Sequence, residues 1–235
     1  MIFFDAHLHV YPEYGLDAFL SSLSERARKA APDAACVAGA VMLRQFQPDL
    51  GTALNAAGKP REWRLIPPEE NGRPWVASHG DGRRILLFPA RQVAARERLE
   101  LLGFFGESPV PDGLPLADAA LALQSAGFTS ALAWGRGKWL FGRAVLVRRF
   151  LLDPALRRAA PFVCDSALRP RLWLEPLFRT ARLNGFAMLS GSDPLPGAGN
   201  ERNAGRRAML LDAPAPPQSA AALIALLSRG TPLPR

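Results

Sequence analysis

Phe3-Phe4-Asp5-Ala6-His7-Leu8-His9-Val10 opens the chain as an apolar run broken by polar side chains at alternate positions. Alternation with period two is the mark of a β-strand. The stretch therefore predicts a first strand with Asp5, His7 and His9 on one face and Ala6, Leu8 and Val10 on the other. Two imidazoles and a carboxylate on one face make a candidate divalent metal site. The alternative is polar packing at a half-buried strand end.

Outward from this strand, helical and strand patterns alternate. Residues 16–31 carry Leu16, Phe19, Leu20, Leu23 and Ala27 at helical spacing, and Pro32 ends the run. Residues 36–43 read as a buried strand. The polar, Gly- and Pro-containing stretch 44–73 predicts a long loop with a short strand at 63–66. Two apolar arms, 75–78 and 84–88, flank His79-Gly80-Asp81-Gly82, whose Asp-Gly suits a hairpin turn. The second arm extends toward Val93, and a helix is predicted over 95–102. Helices then follow at 116–126, 141–151, 170–184 and 220–228, with strands at 129–134, 161–165 and 187–192. Repeated strand-then-helix units imply a parallel sheet. About seven such units favour a distorted TIM-like (β/α)7 barrel over an open sheet. The expectation is one domain over residues 1–235, with a loop and hairpin insertion at about 44–84 and a Pro-rich segment from about 212.

Composition fits that size of core: 49% of the 235 residues are apolar. Cys36 and Cys164 lie far apart in apolar strand-like runs, which predicts buried free thiols in a reducing cytosol. No segment has the length of a membrane span, and a strand from Ile2 leaves no room for a signal peptide, so a cytoplasmic protein without membrane contact is expected. The net charge of +8 is carried mostly by arginine, with Lys29, Lys59 and Lys138 the lysines. It permits an anionic small-molecule substrate. The basic residues are scattered, without an aromatic-interleaved stripe, which argues against nucleic-acid readout.

In barrels of this type the site lies at the C-terminal ends of the strands. The expected strand ends are polar: Arg91 and Gln92, then Trp134-Gly135-Arg136-Gly137-Lys138, then Asp165-Ser166, then Ser190-Gly191-Ser192-Asp193. Asp193 and Asp165 are candidate site carboxylates, although each also suits a cap on the element that follows. The segment 134–139 reads either as a Gly-rich cradle for an anion or as a tight turn packed by tryptophans. Arg202, Arg206 and Arg207 add positive charge beside Asp193. His79 falls in a turn and is expected in solvent.

Asp5-Ala-His-Leu-His9 resembles the first-strand motif of the amidohydrolase and PHP (polymerase and histidinol phosphatase) metal-dependent hydrolases. Pro89-Ala-Arg-Gln-Val-Ala-Ala-Arg-Glu-Arg-Leu-Glu-Leu-Leu-Gly103 is similar to the PHP strand bearing a Gly-x-Glu-Ile-type motif. Leu189-Ser-Gly-Ser-Asp-Pro194 resembles that family's late Gly-Ser-Asp-x-His motif. The resemblance implies a distorted (β/α)7 barrel whose divalent metals activate water against phosphoesters. The chain departs from the pattern in its ligands. Gln92 stands at the Glu position, Trp134-Gly135 replaces a His-Pro, and Pro194-Leu195 follows Asp193 without a histidine. A full trinuclear site is thereby excluded, and one ion (Zn, Mn or Fe) held by His7, His9, Asp193 and Asp5 or Asp165 is the expected cofactor.

The expected function is a metal-dependent hydrolase acting on an anionic small molecule. Asp193 or Asp165 would serve as general base. Lys138, with Arg136, Arg91 and Arg202, would bind the anion and offset developing charge. The missing ligands leave a second reading open, a catalytically inactive barrel acting as a binding or assembly protein. A nucleic-acid phosphoesterase is a third. Oligomeric state has no signature in the sequence.

Overall fold

The computed structural model describes residues 1–106, 109–213 and 215–233. Six strands run parallel: β1 (Ile2–Leu8), β2 (Cys36–Leu43), β5 (Arg84–Ala94), β7 (Thr129–Ala133), β8 (Phe162–Ser166) and β9 (Ala187–Gly191). The antiparallel strand β6 (Glu100–Phe104) stands between β5 and β7, and antiparallel β10 (Met209–Leu211) flanks β1 on its other side. With β11 (Thr231–Pro232) the order among the described residues is β11-β10-β1-β2-β5-β6-β7-β8-β9, a nearly closed, barrel-like sheet of nine strands. Strands β3 (Trp63–Ile66) and β4 (Trp75–His79) form a hairpin attached to β5, with the turn expected at 79–82.

The sheet curls until β9 meets β1. Asp193 donates its N–H to the His7 carbonyl at 2.7 Å, and Gly191 lies so close to His7 that a Cβ there would overlap the histidine's own Cβ and backbone. Glycine is therefore required at the seam.

Strand alternation sorts side chains onto the two sheet faces. One face is a core of small residues (Ala38, Ala40, Ala90, Ala131, Ala133) interleaved with Phe4, Phe88, Phe104 and Phe162. Leu223 and Leu227 of α7 (Ala220–Leu227) complete this interior. The other face packs under helices. α1 (Leu16–Ala30) and α2 (Leu50–Ala56) cover β1 and β2. α3 (Leu116–Ser125), α4 (Gly142–Leu152), α5 (Pro154–Ala159) and α6 (Pro176–Leu183) cover β6 to β8.

Three expectations are corrected. Residues 95–102 are not a helix. They form a tight turn, with Arg98 at φ 61° and Ala95 N–H bonded to Leu99 O at 2.8 Å, that leads into β6. Leu101 then buries against the outer helices and Leu102 in the interior, a burial that outweighs the helical propensity of an Ala-, Arg- and Leu-rich run. The helix expected at 170–184 begins at Pro176, whose missing N–H suits the first turn, with Glu175 as N-cap. Finally, the first strand does not alternate throughout. Its register against β2 shifts between Asp5 and Leu8, so Ala6 joins the interior while Leu8 packs outside.

Both cysteines are buried free thiols, as expected. Among the described residues no helix is long and apolar enough to cross a membrane.

Candidate metal centre

The irregularity in β1 separates its polar residues. Asp5 turns toward the seam, where its carboxylate accepts from His7 N–H (3.1 Å), Ser192 N–H (2.9 Å), Ser192 Oγ (2.5 Å) and Gly205 N–H (3.0 Å). Burial pushes this carboxyl up to about 6, against the four donors that pull it down. Its lone pairs are taken up in tying β1 to the segments after β9, so Asp5 braces the seam and is not among the converging ligands.

Beyond the irregularity, His7 and His9 project at the end of the strand. Their Nε2 atoms lie 3.0 Å apart, and Asp193 Oδ1 lies 3.5 Å from one and 3.6 Å from the other. Asp193 reaches them from the end of β9 with a left-handed backbone, φ 49°, a conformation that Asp tolerates better than most residues. Donor atoms of His7, His9 and Asp193 all fall within 4.8 Å of one another.

The donor chemistry fits a cation. His9 Nδ1 lies 3.2 Å from the Met42 carbonyl, which holds the proton on Nδ1 and leaves Nε2 as a bare lone pair. Burial, then the neighbouring His7, push the His9 imidazole down to about 3, so it is neutral at physiological pH. Two imidazole nitrogens and a carboxylate oxygen facing one another repel unless positive charge lies between them. A proton on His7 Nε2 relieves one of these contacts; a cation relieves all of them. A tetrahedral ion with bonds of about 2.0–2.1 Å sets its donors about 3.3 Å apart, close to the spacings seen. His7 Nδ1 is buried without a partner among the described residues.

A second layer surrounds the cluster. Gln92 Oε1 lies 3.3 Å from His7 Nε2, and its Nε2 donates to Glu100 Oε1 at 3.0 Å. Glu100 in turn pairs with Lys138. Ser166 Oγ donates to Asp193 Oδ2 at 3.3 Å. The Tyr11 ring lies 5.5 Å from that of His9, and the Arg44 charge lies near enough to act on both. All of these groups stand at the ends of β1, β2, β5, β7, β8 and β9 or at the start of antiparallel β6, one rim of the sheet, as anticipated for such a site.

Other expected residues fall elsewhere. Asp165 is buried and bonded to Arg169 (2.7 Å) and Arg207 (3.1 Å), so its carboxylate is neutralised within the protein instead of facing the cluster. Arg91 is buried on the strand face opposite Gln92, with its guanidinium on the Leu43 and Gln92 carbonyls and near Asp112. Arg202 is exposed on the 3-10 turn that packs against α1, and Arg136 is exposed in its loop. Trp134 and Trp139 are buried, so the loop between them is a turn packed by tryptophans. His79 is half-buried, 2.8 Å from Asp81 and beside Trp63, at the opposite end of β5 from Gln92. A cleft of about 640 Å³ also opens near that opposite end, lined by Arg28, Arg73, Arg84 and Pro217.

Sequence reasoning missed Glu100 and Arg44. Glu100 lies in a run that reads as helical, and only its pairing in β6 turns it toward Gln92. Arg44 carries no motif and is recognised by its proximity to His9.

The fold and cluster together define a mixed α/β protein with a barrel-like sheet and, on one rim, a candidate centre of two histidines and one aspartate. The crystal structure of PsfC from Pseudomonas syringae PB-5123 is similar in fold, with a TM-score of 0.60 at 12% identity, covering 98% of this chain and 90% of that one. No protein-family model and no curated protein matches the sequence.

Proposed function

We propose that the protein is a metal-dependent hydrolase built on a distorted (β/α)7-type barrel of the PHP and amidohydrolase kind. His7, His9 and Asp193 would hold one divalent ion. The observation that carries this reading is the convergence of their three donor atoms at the rim, brought together from the two strands that meet at the seam. A bound Zn, Mn or Fe ion would supply Lewis acidity and lower the pKa of a coordinated water to about 7. The chain's own groups supply the rest. Asp193 Oδ1 faces the histidines, while Oδ2, beside Ser166, is placed to take up a proton. Arg44, whose charge acts on His9 and Tyr11, gives the mouth positive charge for an anionic substrate. Lys138 is paired with Glu100, and Asp165 with two arginines, so neither is a free catalytic group.

That internal neutralisation favours a second reading, a barrel that keeps the metal centre but works by binding. Metal analysis and activity separate the possibilities. Purified protein should carry close to one equivalent of Zn, Mn or Fe, and the His7→Ala/His9→Ala double variant should carry none. Metal-free wild type after growth in replete medium overturns both readings. Metal-loaded protein that turns over no anionic ester or amide across a broad panel leaves the binding reading standing.

A further inference from the structure

We propose that Gln92 contributes its amide oxygen as a fourth donor to the centre, and that Glu100 and Lys138 are positioning residues that aim it. This rests on the metal-centre reading above. A glutamine amide presents an acceptor on one side and a donor on the other. Here Nε2 donates to Glu100 Oε1 at 3.0 Å, and Oε1 lies 3.3 Å from His7 Nε2. An ionised carboxylate only accepts hydrogen bonds, so it captures the NH2 group and leaves the oxygen facing the histidines.

Lys138 pairs with Glu100 and holds its carboxylate in place. The Glu100–Lys138 pair is partly shielded, its side chains 15% and 31% exposed. Lys138 folds back across the end of β7 to reach Glu100, and its methylenes occupy the space that a Cβ on Gly135 would need. Glycine at 135 leaves room for this path of the lysine. Glu100 stands opposite Ala94 and Ala133 in the sheet, so the chain Lys138–Glu100–Gln92–His7 crosses β6 and β5 to reach β1. The charge balance agrees with this assignment. A glutamate at position 92 would set two carboxylates against each other. An amide there leaves the negative charge one layer out, where Lys138 neutralises it.

The test is cobalt titration of the metal-stripped full chain, reading affinity by chelator competition and coordination by the visible d–d spectrum. Wild type should bind one Co²⁺. Gln92→Leu and the isosteric Glu100→Gln should each weaken binding about 10–100-fold and shift the spectrum, the loss expected when a group orienting a ligand is removed. Lys138→Met should shift it in the same direction, and Lys138→Arg should restore it. A merely structural role for Glu100 would lower the melting temperature without moving the spectrum. If the position 92 and 100 variants bind Co²⁺ with wild-type affinity and spectrum, the inference is overturned and the three-ligand centre stands. If wild type binds no Co²⁺, both fall. Should Gln92→Leu fail to fold, Glu100→Gln gives the decisive reading.

Discussion

The polar residues of β1 serve two regions that differ in how their hydrogen-bonding capacity is used. At the seam, Asp5 accepts from the backbone of His7, Ser192 and Gly205 and from the Ser192 hydroxyl. At the rim, His7 and His9 turn their Nε2 atoms toward each other and toward Asp193. The seam is satisfied from within the chain, and its carboxylate has no capacity left for a ligand. The rim concentrates acceptors, with the Ser166 hydroxyl on Asp193 Oδ2 and a single imidazole N–H on His7 as the donors beside them. A buried polar group that is fully paired holds a fold together, whereas a convergence of lone pairs is relieved by a proton or a bound cation. Asp165, neutralised by Arg169 and Arg207, belongs with Asp5 in this respect.

The contrast is broken most directly at Asp5. Asp5→Ala strands three buried N–H groups and a hydroxyl, and should destabilise the metal-free protein by on the order of 5 kcal/mol in urea unfolding. A loss below about 1 kcal/mol would show that the seam does not depend on this carboxylate.

The rim should respond in the opposite way. His7→Ala/His9→Ala is expected to cut metal affinity by roughly 10³-fold or more, about 4 kcal/mol, while metal-free stability changes by less than about 2 kcal/mol. Excess Zn²⁺ at about 100 times its Kd should stabilise wild type by about 2.7 kcal/mol and leave the double variant's melting temperature unmoved. A comparable rise in the variant would place the ion elsewhere.

Asp165→Asn sharpens the distinction between the carboxylates. It removes the carboxylate charge that two largely buried arginines share and should cost about 2–3 kcal/mol of stability, with metal affinity unchanged within about threefold. A large fall in metal binding would return Asp165 to the centre. The smallest effect is expected at Arg136: Arg136→Ala should alter stability by less than about 0.5 kcal/mol, and any change should appear in the salt dependence of substrate binding.

Much of the framework is legible locally. The expected bounds of the first helix, the second strand, the Trp63 strand and the hairpin around 79–82 lie within a residue or two of those observed. In each, the apolar period, the breaker residues and the final burial agree. The 95–102 segment departs from its reading because its composition favours a helix while its neighbours β5 and β7 both offer a strand partner. Strands β10 and β11 leave no trace in the pattern, since Met209–Leu211 and Thr231–Pro232 are too short to carry one. At the site, His7, His9 and Asp193 stand out in the sequence, and the fold brings them together. Alternation alone groups Asp5 with them, and a single register shift removes it.

The sequence by itself determined a strand-and-helix alternation, a polar rim, and a pair of histidines with Asp193, Asp165 and Asp5 as candidate carboxylate partners. These are properties of local pattern and residue chemistry. Tertiary structure alone decided which carboxylates are taken up by donors within the chain and which one faces the histidines. It set Asp5 against three backbone N–H groups, paired Asp165 with two arginines, and left Asp193 facing the histidines. The reason is physical: the capacity of a carboxylate to hold a ligand depends on the donors that already surround it, and those donors come from segments distant in the chain.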